Sequence, residues 1–225
     1  LTPIVEKVYE QGIPVIVIDR KINSDKFTAY IGADNYSIGY EAGRFAVQLL
    51  QGSGKIIEIT GLKGSSPAME RSRGFRQVID QYPNLQITKA YEGKWSKERA
   101  FQITDTAFAE YKEFDLIFAH NDRMAFRVYH SCKKHGLDPY IIGIDGLITE
   151  KGGENLVLEK INEGTFVYTT GGERAIQLAM EILRSNAFNK YNSLKTFRID
   201  STNARAYKLQ ALKIREQQEK VDTLR

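Results

Sequence analysis

Short apolar runs alternate with longer segments of helical pattern along almost the whole chain, and this alternation constrains the fold more than any other feature of the sequence. The runs typical of buried strands lie at 13–18, 29–31, 55–60, 86–91, 115–119, 140–144, 165–169 and 194–199. The segments typical of helices lie at 2–11, 34–51, 67–81, 96–111, 122–135, 152–163 and 173–185. Because neighbouring parallel strands are joined by a crossover, usually a helix, the pattern predicts an α/β fold with parallel sheets.

The carboxyl-terminal segment differs from the rest of the chain. Residues 202–225 contain neither Gly nor Pro and can be helical throughout. An apolar seam with mostly heptad spacing consists of Tyr207, Ile214, Val221 and Leu224. Gln210 and Gln217 interrupt this seam. Two interpretations stay open: a solvated amphipathic helix, or a helical connector that carries a signal onward.

The composition argues against several function classes. Acidic side chains are interspersed among the Lys and Arg residues, and the net charge is only +4, so we predict no basic face for nucleic acid. Cys132 is the only cysteine, which excludes an internal disulfide and a cysteine-rich metal site. No apolar run approaches the ~18–20 residues that cross a bilayer. We therefore predict a domain that holds neither a metal nor a cofactor.

The sequence also argues against catalysis. The loop at 61–66 lacks the Gly-Lys-Ser/Thr ending of a phosphate-binding loop, and no Gly-x-Ser-x-Gly elbow occurs. His120, His130 and His135 form no metal-ligand pattern with carboxylates at helical spacing. We place His130 and His135 on a surface helix and His120 at the wall of a cleft. The chain is expected to bind a ligand without transforming it.

Polar and aromatic residues follow most of the predicted strands, directly or at the start of the next helix. They are Asp19, Arg20, Arg71, Trp95, His120, Asn121, Asp122, Asp145, Thr170 and Gly171. Ligands of open parallel sheets bind beyond the carboxyl ends of the strands. Carboxylates accept from hydroxyls, a guanidinium donates to two, and an indole covers the apolar face of a sugar ring. Taken singly, a residue such as Asp19 or Asp145 is more often a helix cap or turn former, and one such as Trp95 is more often a core residue. Together, these residues predict a carbohydrate site.

Several stretches of the chain carry a resemblance to a known family. They are GIPVIVIDR at 12–20, ADN at 33–35, GLKGSS at 61–66, ERSRGF at 70–75, FAHNDRMA at 118–125 and IGIDG at 142–146. In this order they resemble the type I periplasmic binding proteins of the ribose-binding kind, and also the sugar-binding domains of lac-repressor-type regulators. The resemblance implies two Rossmann-like lobes of parallel sheet flanked by helices, with an incomplete amino-terminal lobe and a long carboxyl-terminal helix.

The resemblance also implies domain boundaries. Residues 1–34 and 171–192 would belong to the amino-terminal lobe, 35–170 and 193–200 to the carboxyl-terminal lobe, and 201–225 to a helical connector. The family has further strands and helices before the equivalent of Leu1, some of which contact the ligand. We therefore expect this chain to be truncated relative to its parent protein.

Carried over position by position, the resemblance implies a set of ligand contacts. The implied sugar contacts are Asp19, Arg20, Arg71, Asn121 and Asp145. Trp95 occupies the place of an aromatic that stacks on the sugar. The stretch from Tyr168 to Gly172 lies where the family often has a polar ligand residue, and Thr170 and Gly171 are the contacts taken from it. Arg73 is an alternative to Arg71, but the family's spacing before the Gly-Phe pair at 74–75 favours Arg71.

The continuation beyond residue 200 is similar to the extracytoplasmic sensor domains of Bacteroides-type hybrid two-component histidine kinases. Some of these are fructose sensors, so a ketose is an expected ligand. The implied partners are the small carbohydrate, the transmembrane and kinase regions of the same protein, and a second copy joined through the carboxyl-terminal helix; the implied location is periplasmic. Two alternatives remain: a soluble sugar-binding protein of an ABC transporter, and the ligand domain of a lac-repressor-type regulator.

Overall fold

The computed structural model describes the backbone of residues 1–223 and their side chains except those at positions 110, 215 and 218–223. Leu224, which was assigned to the apolar seam of the tail, lies outside the described residues, as does the side chain of Val221.

The chain folds into helices that alternate with strands, as the sequence pattern predicts. The helices are α1 (Thr2–Glu10), α2 (Asn35–Leu50), α3 (Ser66–Ile79), α4 (Lys97–Glu110), α5 (Asp122–Lys134), α6 (Gly153–Leu158), α7 (Gly172–Leu183) and α8 (Ala204–Thr223). The strands are β1 (Ile16–Ile18), β2 (Ala29–Ala33), β3 (Gly54–Thr60), β4 (Leu85–Glu92), β5 (Leu116–Ala119), β6 (Tyr140–Ile142), β7 (Gly164–Phe166), β8 (Tyr191–Leu194) and β9 (Arg198–Asp200). Among the described helices, none is both long and apolar enough to cross a membrane.

The strands form two sheets. The smaller has three strands in the order β1-β2-β8, and the larger has six in the order β4-β3-β5-β6-β7-β9. The neighbouring strands pair in parallel except β9, which runs antiparallel to β7 at the edge of the larger sheet. This topology confirms the predicted α/β fold with parallel sheets.

The core lies on both faces of the six-stranded sheet. Ile56 of β3 packs toward α2 and α3, whereas the next residue, Ile57, packs toward α4 and α5. Both side chains are fully buried. On the first face, the rings of Phe75 and Phe118 stack with centroids 4.4 Å apart. Because strands covered on both faces need mostly apolar residues, β5 is a continuous apolar run and β3 is apolar at Ile56, Ile57 and Ile59.

Glycines let α2 and α3 approach until their backbones touch. A Cβ atom on Gly39 of α2 would lie 2.1 Å from the carbonyl oxygen of Arg71, and one on Gly74 of α3 would lie 2.1 Å from that of Tyr36. Neither position tolerates a side chain without movement of the helices. This close crossing fixes the position of Arg71 relative to α2.

Short polar side chains define where several helices begin. The carboxylate of Asp34 accepts from the Ser37 amide at the start of α2, at 3.0 Å. Ser96 accepts from the Arg99 amide at 3.2 Å in the same way at the start of α4. These bonds satisfy amides that have no partner within the first helical turn, which is why both boundaries are visible in the sequence.

Two strand predictions require correction. The run at 13–18 was predicted to be a strand covered on both faces, but β1 begins only at Ile16, and Ile13 and Ile18 are 51% and 43% exposed. β1 is the edge strand of the small sheet, so few groups cover it. The run at 194–199 is not one strand: β8 ends at Leu194 in the small sheet and β9 begins at Arg198 in the large one. The domain boundary predicted at residue 192 falls inside β8.

One helix is shorter than its pattern predicts. The segment at 152–163 was predicted to be helical throughout, but α6 ends at Leu158. Lys160 adopts a left-handed backbone conformation with φ of 58°, which terminates the helix. The chain then turns into β7.

Candidate functional site

Arg71 lies at the centre of a group of polar side chains beyond the carboxyl ends of the strands. It is 2% exposed. Its Nε donates to Oδ1 of Asn35 at 2.8 Å, and its Nη1 donates to the carbonyl oxygen of His120. The guanidinium carbon lies 4.7 Å from the ring centroid of Tyr168 and 5.5 Å from that of Trp95. Arg71 is therefore held between two aromatic rings with its orientation fixed by hydrogen bonds.

Asp19 connects the small sheet to the large one. The hydroxyl of Tyr168, which follows β7, donates to Oδ1 of Asp19, which follows β1. The hydroxyl of Tyr30 donates to the Asp19 carbonyl oxygen at 2.9 Å. Burial, together with the hydrogen bond to Asp19, raises the pKa of Tyr168 to about 12. The phenol therefore remains a neutral donor at physiological pH.

Asp145 contributes a carboxyl group to the same region. Burial raises its pKa to about 6, although the positive charges of Arg71 and Arg123 oppose this change and the Asp19 charge adds to it. The backbone of the Asp145 segment is joined to that of Val167, beyond β7, by an isolated bridge. Asp145 and Asp19 thus both lie within electrostatic reach of the Arg71 guanidinium.

Asp122 braces the loop that carries Asp145. Its Oδ2 accepts from the Gly146 amide at 2.8 Å and from the Thr165 hydroxyl at 2.9 Å, and its Oδ1 accepts from the Asn162 amide group at 3.2 Å. Burial and the nearby Asp145 charge raise the pKa of Asp122. Because its oxygens are engaged within the protein, Asp122 positions the loop.

Trp95 lies where the hydrophobic core meets the polar group around Arg71. Its ring lies against the backbone at Gly61, where an added Cβ would be 2.1 Å from the indole, and it also packs on the core beside α4 and α5. Another part of the ring lies toward Arg71. Its Nε1 is buried and has no hydrogen-bond partner among the described residues. Trp95 is therefore a half-buried ring beside the polar group.

Asn121 lies next to His120, whose carbonyl oxygen binds Arg71. Its Oδ1 accepts from the Met124 amide at 2.8 Å and so caps α5. The acceptor oxygen is therefore engaged by the helix, which leaves the Nδ2 amino group as the donor that the side chain can offer to a ligand.

Three predicted ligand residues are less closely joined to this group. Arg20 is exposed, and its Nε lies 3.9 Å from Asp19 Oδ2. Thr170 is exposed, and no side-chain hydrogen bond is found for it within the described part of the chain. Gly171 has φ of 74°, and a Cβ there would meet Ile31 and Leu194 at 2.8 Å. A larger residue at position 171 would therefore prevent α7 from packing on the small sheet, which explains why glycine is found there.

Strained backbone accompanies the predicted ligand residues. Asp19, Trp95 and Asp145 have positive φ angles of 69°, 62° and 132°, a region that non-glycine residues rarely adopt. Such conformations persist when the surrounding structure holds them, and they concentrate at functional sites.

His120 was predicted to line the cleft, and this prediction is wrong. The ring is fully buried; Nδ1 accepts from the Gly61 amide at 3.3 Å and Nε2 lies 3.0 Å from Oε1 of Glu58. Burial lowers the pKa of His120, so the neutral imidazole with a proton on Nε2 satisfies both contacts. Glu58 also binds Ser72 and Arg76 of α3, each at 2.5 Å. The histidine therefore supports the helix that carries Arg71.

The sequence reasoning missed Asn35 as a member of the group, because Asn35 was interpreted as part of a helix cap. Tyr168 lies in the stretch at 168–172 where the resemblance implied a polar ligand residue, but Thr170 and Gly171 were chosen from that stretch. Tyr168 was assigned to the strand predicted at 165–169, whereas the structure brings its hydroxyl to Asp19. Among the described residues, no group of three or more His, Cys, Asp or Glu side chains is arranged to hold a metal ion.

Comparison with known proteins identifies the family. Residues 1–187 match the family described as periplasmic binding protein domain. The chain is 29% identical over 142 residues to the ribose import binding protein RbsB of Bacillus subtilis, and 31% identical over 134 residues to that of Haemophilus influenzae. These matches cover 63% and 60% of this chain. The chain spans about half the length of these relatives, 46% in each case.

A solved structure is more similar still. The fructose binding periplasmic domain of a hybrid two-component system superposes with a TM-score of 0.97 at 42% sequence identity, over 99% of this chain and 75% of that one. The family consists of binding domains, which agrees with the prediction that this domain is not an enzyme. By its sequence match, its paired sheets and its polar group beyond the strand ends, this chain belongs to the periplasmic binding protein domain family.

Proposed function

We propose that this chain is the sugar-binding sensor domain of a membrane-bound histidine kinase, and that it recognises a monosaccharide, with a ketose such as fructose the first choice. One observation carries the proposal: Arg71, Asp19, Asp145 and Tyr168 come from both sheets and meet at one place. Their carboxylates, guanidinium and hydroxyl are complementary to the neighbouring hydroxyls of a sugar. Asn121 and Trp95 complete the proposed site, and Arg20, Thr170 and Gly171 remain peripheral contacts in this proposal.

The relatives support this ligand class. The similar solved structure bears the name of a fructose binding domain, and the matched curated relatives bear the name of ribose import binding proteins. Both names denote small neutral sugars. A periplasmic location of this domain follows from the same proposal.

The carboxyl-terminal helix is the proposed output of the sensor. Lys208 of α8 lies 3.4 Å from the buried carboxylate of Glu154 in α6. The ring of Tyr207 in α8 packs against Phe197 with centroids 5.4 Å apart. The backbone amide of Val167 bonds the Phe197 carbonyl at 2.9 Å, and Val167 precedes Tyr168. A sugar that prefers one arrangement of the two sheets would thereby shift the position of α8, and a second copy could pair through this helix.

A second candidate is a soluble sugar-binding protein of a transporter. The similarity to ribose import binding proteins favours it. The twenty-residue helix α8 favours the sensor, because a transport protein has no output helix to position. Membrane association of the intact protein with a kinase region separates the two; a cytoplasmic regulator would instead carry a DNA-binding region.

We expect a monosaccharide to raise the melting temperature of the complete extracytoplasmic domain, because a ligand that binds only the folded form stabilises it by about 2.7 kcal/mol at 100 times Kd. A panel of ketoses and aldoses is measured by thermal shift and confirmed by calorimetry. A well-folded domain that none of these sugars stabilises would contradict the proposal.

Trp95 provides an optical reading of the same event. Since it is the only tryptophan and its ring lies beside Arg71, the bound sugar should change its emission wavelength or intensity. The measurement is a fluorescence titration with the sugar that the thermal panel identifies, with Asp145→Ala as the variant in which the change shifts to higher sugar concentration. An emission spectrum that stays constant at saturation would remove Trp95 from the site.

A further inference from the structure

We infer that a cavity beside Asp145 binds an anionic group, so that the receptor accepts a sugar bearing a carboxylate, phosphate or sulfate. The inference rests on the proposed sugar-binding function and adds a second subsite to it. The cavity has a volume of about 410 Å³. It is lined by Lys97, Asp122, Arg123, Phe126, Arg127, Asp145, Leu147, Thr149, Lys151 and Gly152.

The cavity gathers cations from three separate elements. Lys97 begins α4, Arg123 and Arg127 lie one turn apart on α5, and Lys151 lies in the loop before α6. The only ion pair found for these four among the described residues joins Lys97 to the exposed Glu98, at 3.6 Å. Cations that share one cavity repel each other, and a bound anion relieves this repulsion.

Arg127 provides the most specific sign of a missing partner. Its guanidinium carbon lies 5.3 Å from the ring centroid of Phe101, which orients the group. Its Nε is buried and has no hydrogen-bond partner in the described part of the chain. A buried donor without a partner is unfavourable. A carboxylate or phosphate oxygen is a matching acceptor, since a guanidinium binds such groups through two parallel bonds.

The two acidic residues of the cavity, Asp122 and Asp145, offset only part of the charge of its four cations. Asp122 is engaged by three donors from Gly146, Thr165 and Asn162. The Asp145 carboxyl feels the charges of both Arg71 and Arg123. Asp145 therefore borders the proposed sugar site on one side and the cavity on the other, so that a sugar held near Arg71 would direct a charged substituent into the cavity.

The test compares neutral sugars with their anionic counterparts by calorimetry. The probes are fructose, fructose 1-phosphate and fructose 6-phosphate, glucose and glucuronate, and inorganic phosphate and sulfate alone. We expect at least one anionic sugar to bind at least tenfold more tightly than its neutral counterpart, and this advantage to shrink at high salt. Arg127→Gln should remove most of the advantage and leave the affinity for the neutral sugar unchanged. The matched control is Arg44→Gln, because Arg44 lies on the exposed face of α2, where it pairs with Glu41.

Each outcome has a distinct meaning. Neutral sugars that bind while no anionic counterpart gains affinity would overturn the inference and leave the proposed function intact. Inorganic phosphate or sulfate that stabilises the wild type but not Arg127→Gln would support the subsite and identify a free anion as its occupant. If no sugar binds, the proposed function fails, and the inorganic anions alone decide whether the cavity holds an anion.

Discussion

Replacing Arg71 by Ala is expected to weaken sugar binding at least tenfold, which corresponds to about 1.4 kcal/mol. The loss of binding free energy reaches about 3 kcal/mol if the guanidinium makes charged hydrogen bonds to the ligand. The Arg71 guanidinium interacts electrostatically with both Asp19 and Asp145. Without it, the two carboxylates lose a buried counter-charge that they share, and the sugar loses a bidentate donor. Calorimetry on the folded variant measures the effect.

Arg73 supplies the control for this experiment, because it is on the same helix and was the alternative in the sequence. It is exposed, and its guanidinium carbon lies 4.8 Å from the ring centroid of Tyr36. Arg73→Ala should therefore bind sugar with wild-type affinity. The reverse pattern, in which Arg73→Ala loses affinity and Arg71→Ala retains it, would show that the site has been assigned to the wrong arginine.

Replacing Gly74 by Ala should lower the free energy of unfolding by about 1–3 kcal/mol. The added methyl group would lie 2.1 Å from the carbonyl oxygen of Tyr36, which is backbone and can move away only if α2 and α3 separate. Urea denaturation monitored by circular dichroism measures the change. Arg71 lies three residues before Gly74 on α3. Because a movement of α3 would displace Arg71, sugar affinity should fall as well.

Gly172→Ala is the matched control for Gly74→Ala. Gly172 is also helical, as the first residue of α7. No atom of another residue lies within 4 Å of the position that its Cβ would occupy. Its effect should stay within about 0.5 kcal/mol. Equal stability of the two variants would show that the contact between α2 and α3 is looser than the structure indicates.

The sequence was sufficient for the fold wherever local chemistry decides the outcome. Continuous apolar runs such as that of β5 identify strands covered on both faces, and Asp34 and Ser96 mark helix starts because they bond local amides. The run at 194–199 failed for a non-local reason: Leu194 and Arg198 pair with strands of different sheets, and nothing in six adjacent residues records that change of partner.

The same limit explains the candidate site. Arg71 and Asp145 are predictable because residues beyond the parallel strands of one sheet gather at its edge. Asp19 follows a strand of the other sheet, and its place in the same site was implied by the family resemblance. The hydrogen bond between Tyr168 and Asp19 joins residues 149 positions apart. Glu58, the partner of the His120 ring, lies 62 positions before it. Such pairings depend on the final packing of helices and strands, so a single sequence carries no local mark of them.

The attachment of α8 has a mechanical consequence. The helix follows β9 directly and contacts α6, so it is fixed to the body built on the six-stranded sheet. Its twenty residues form a lever arm about 30 Å long. A turn of that body by about 10° would swing the far end sideways by about 5 Å, given this length. A modest turn of the body could thus become a displacement of about half a helix diameter at the distal tip.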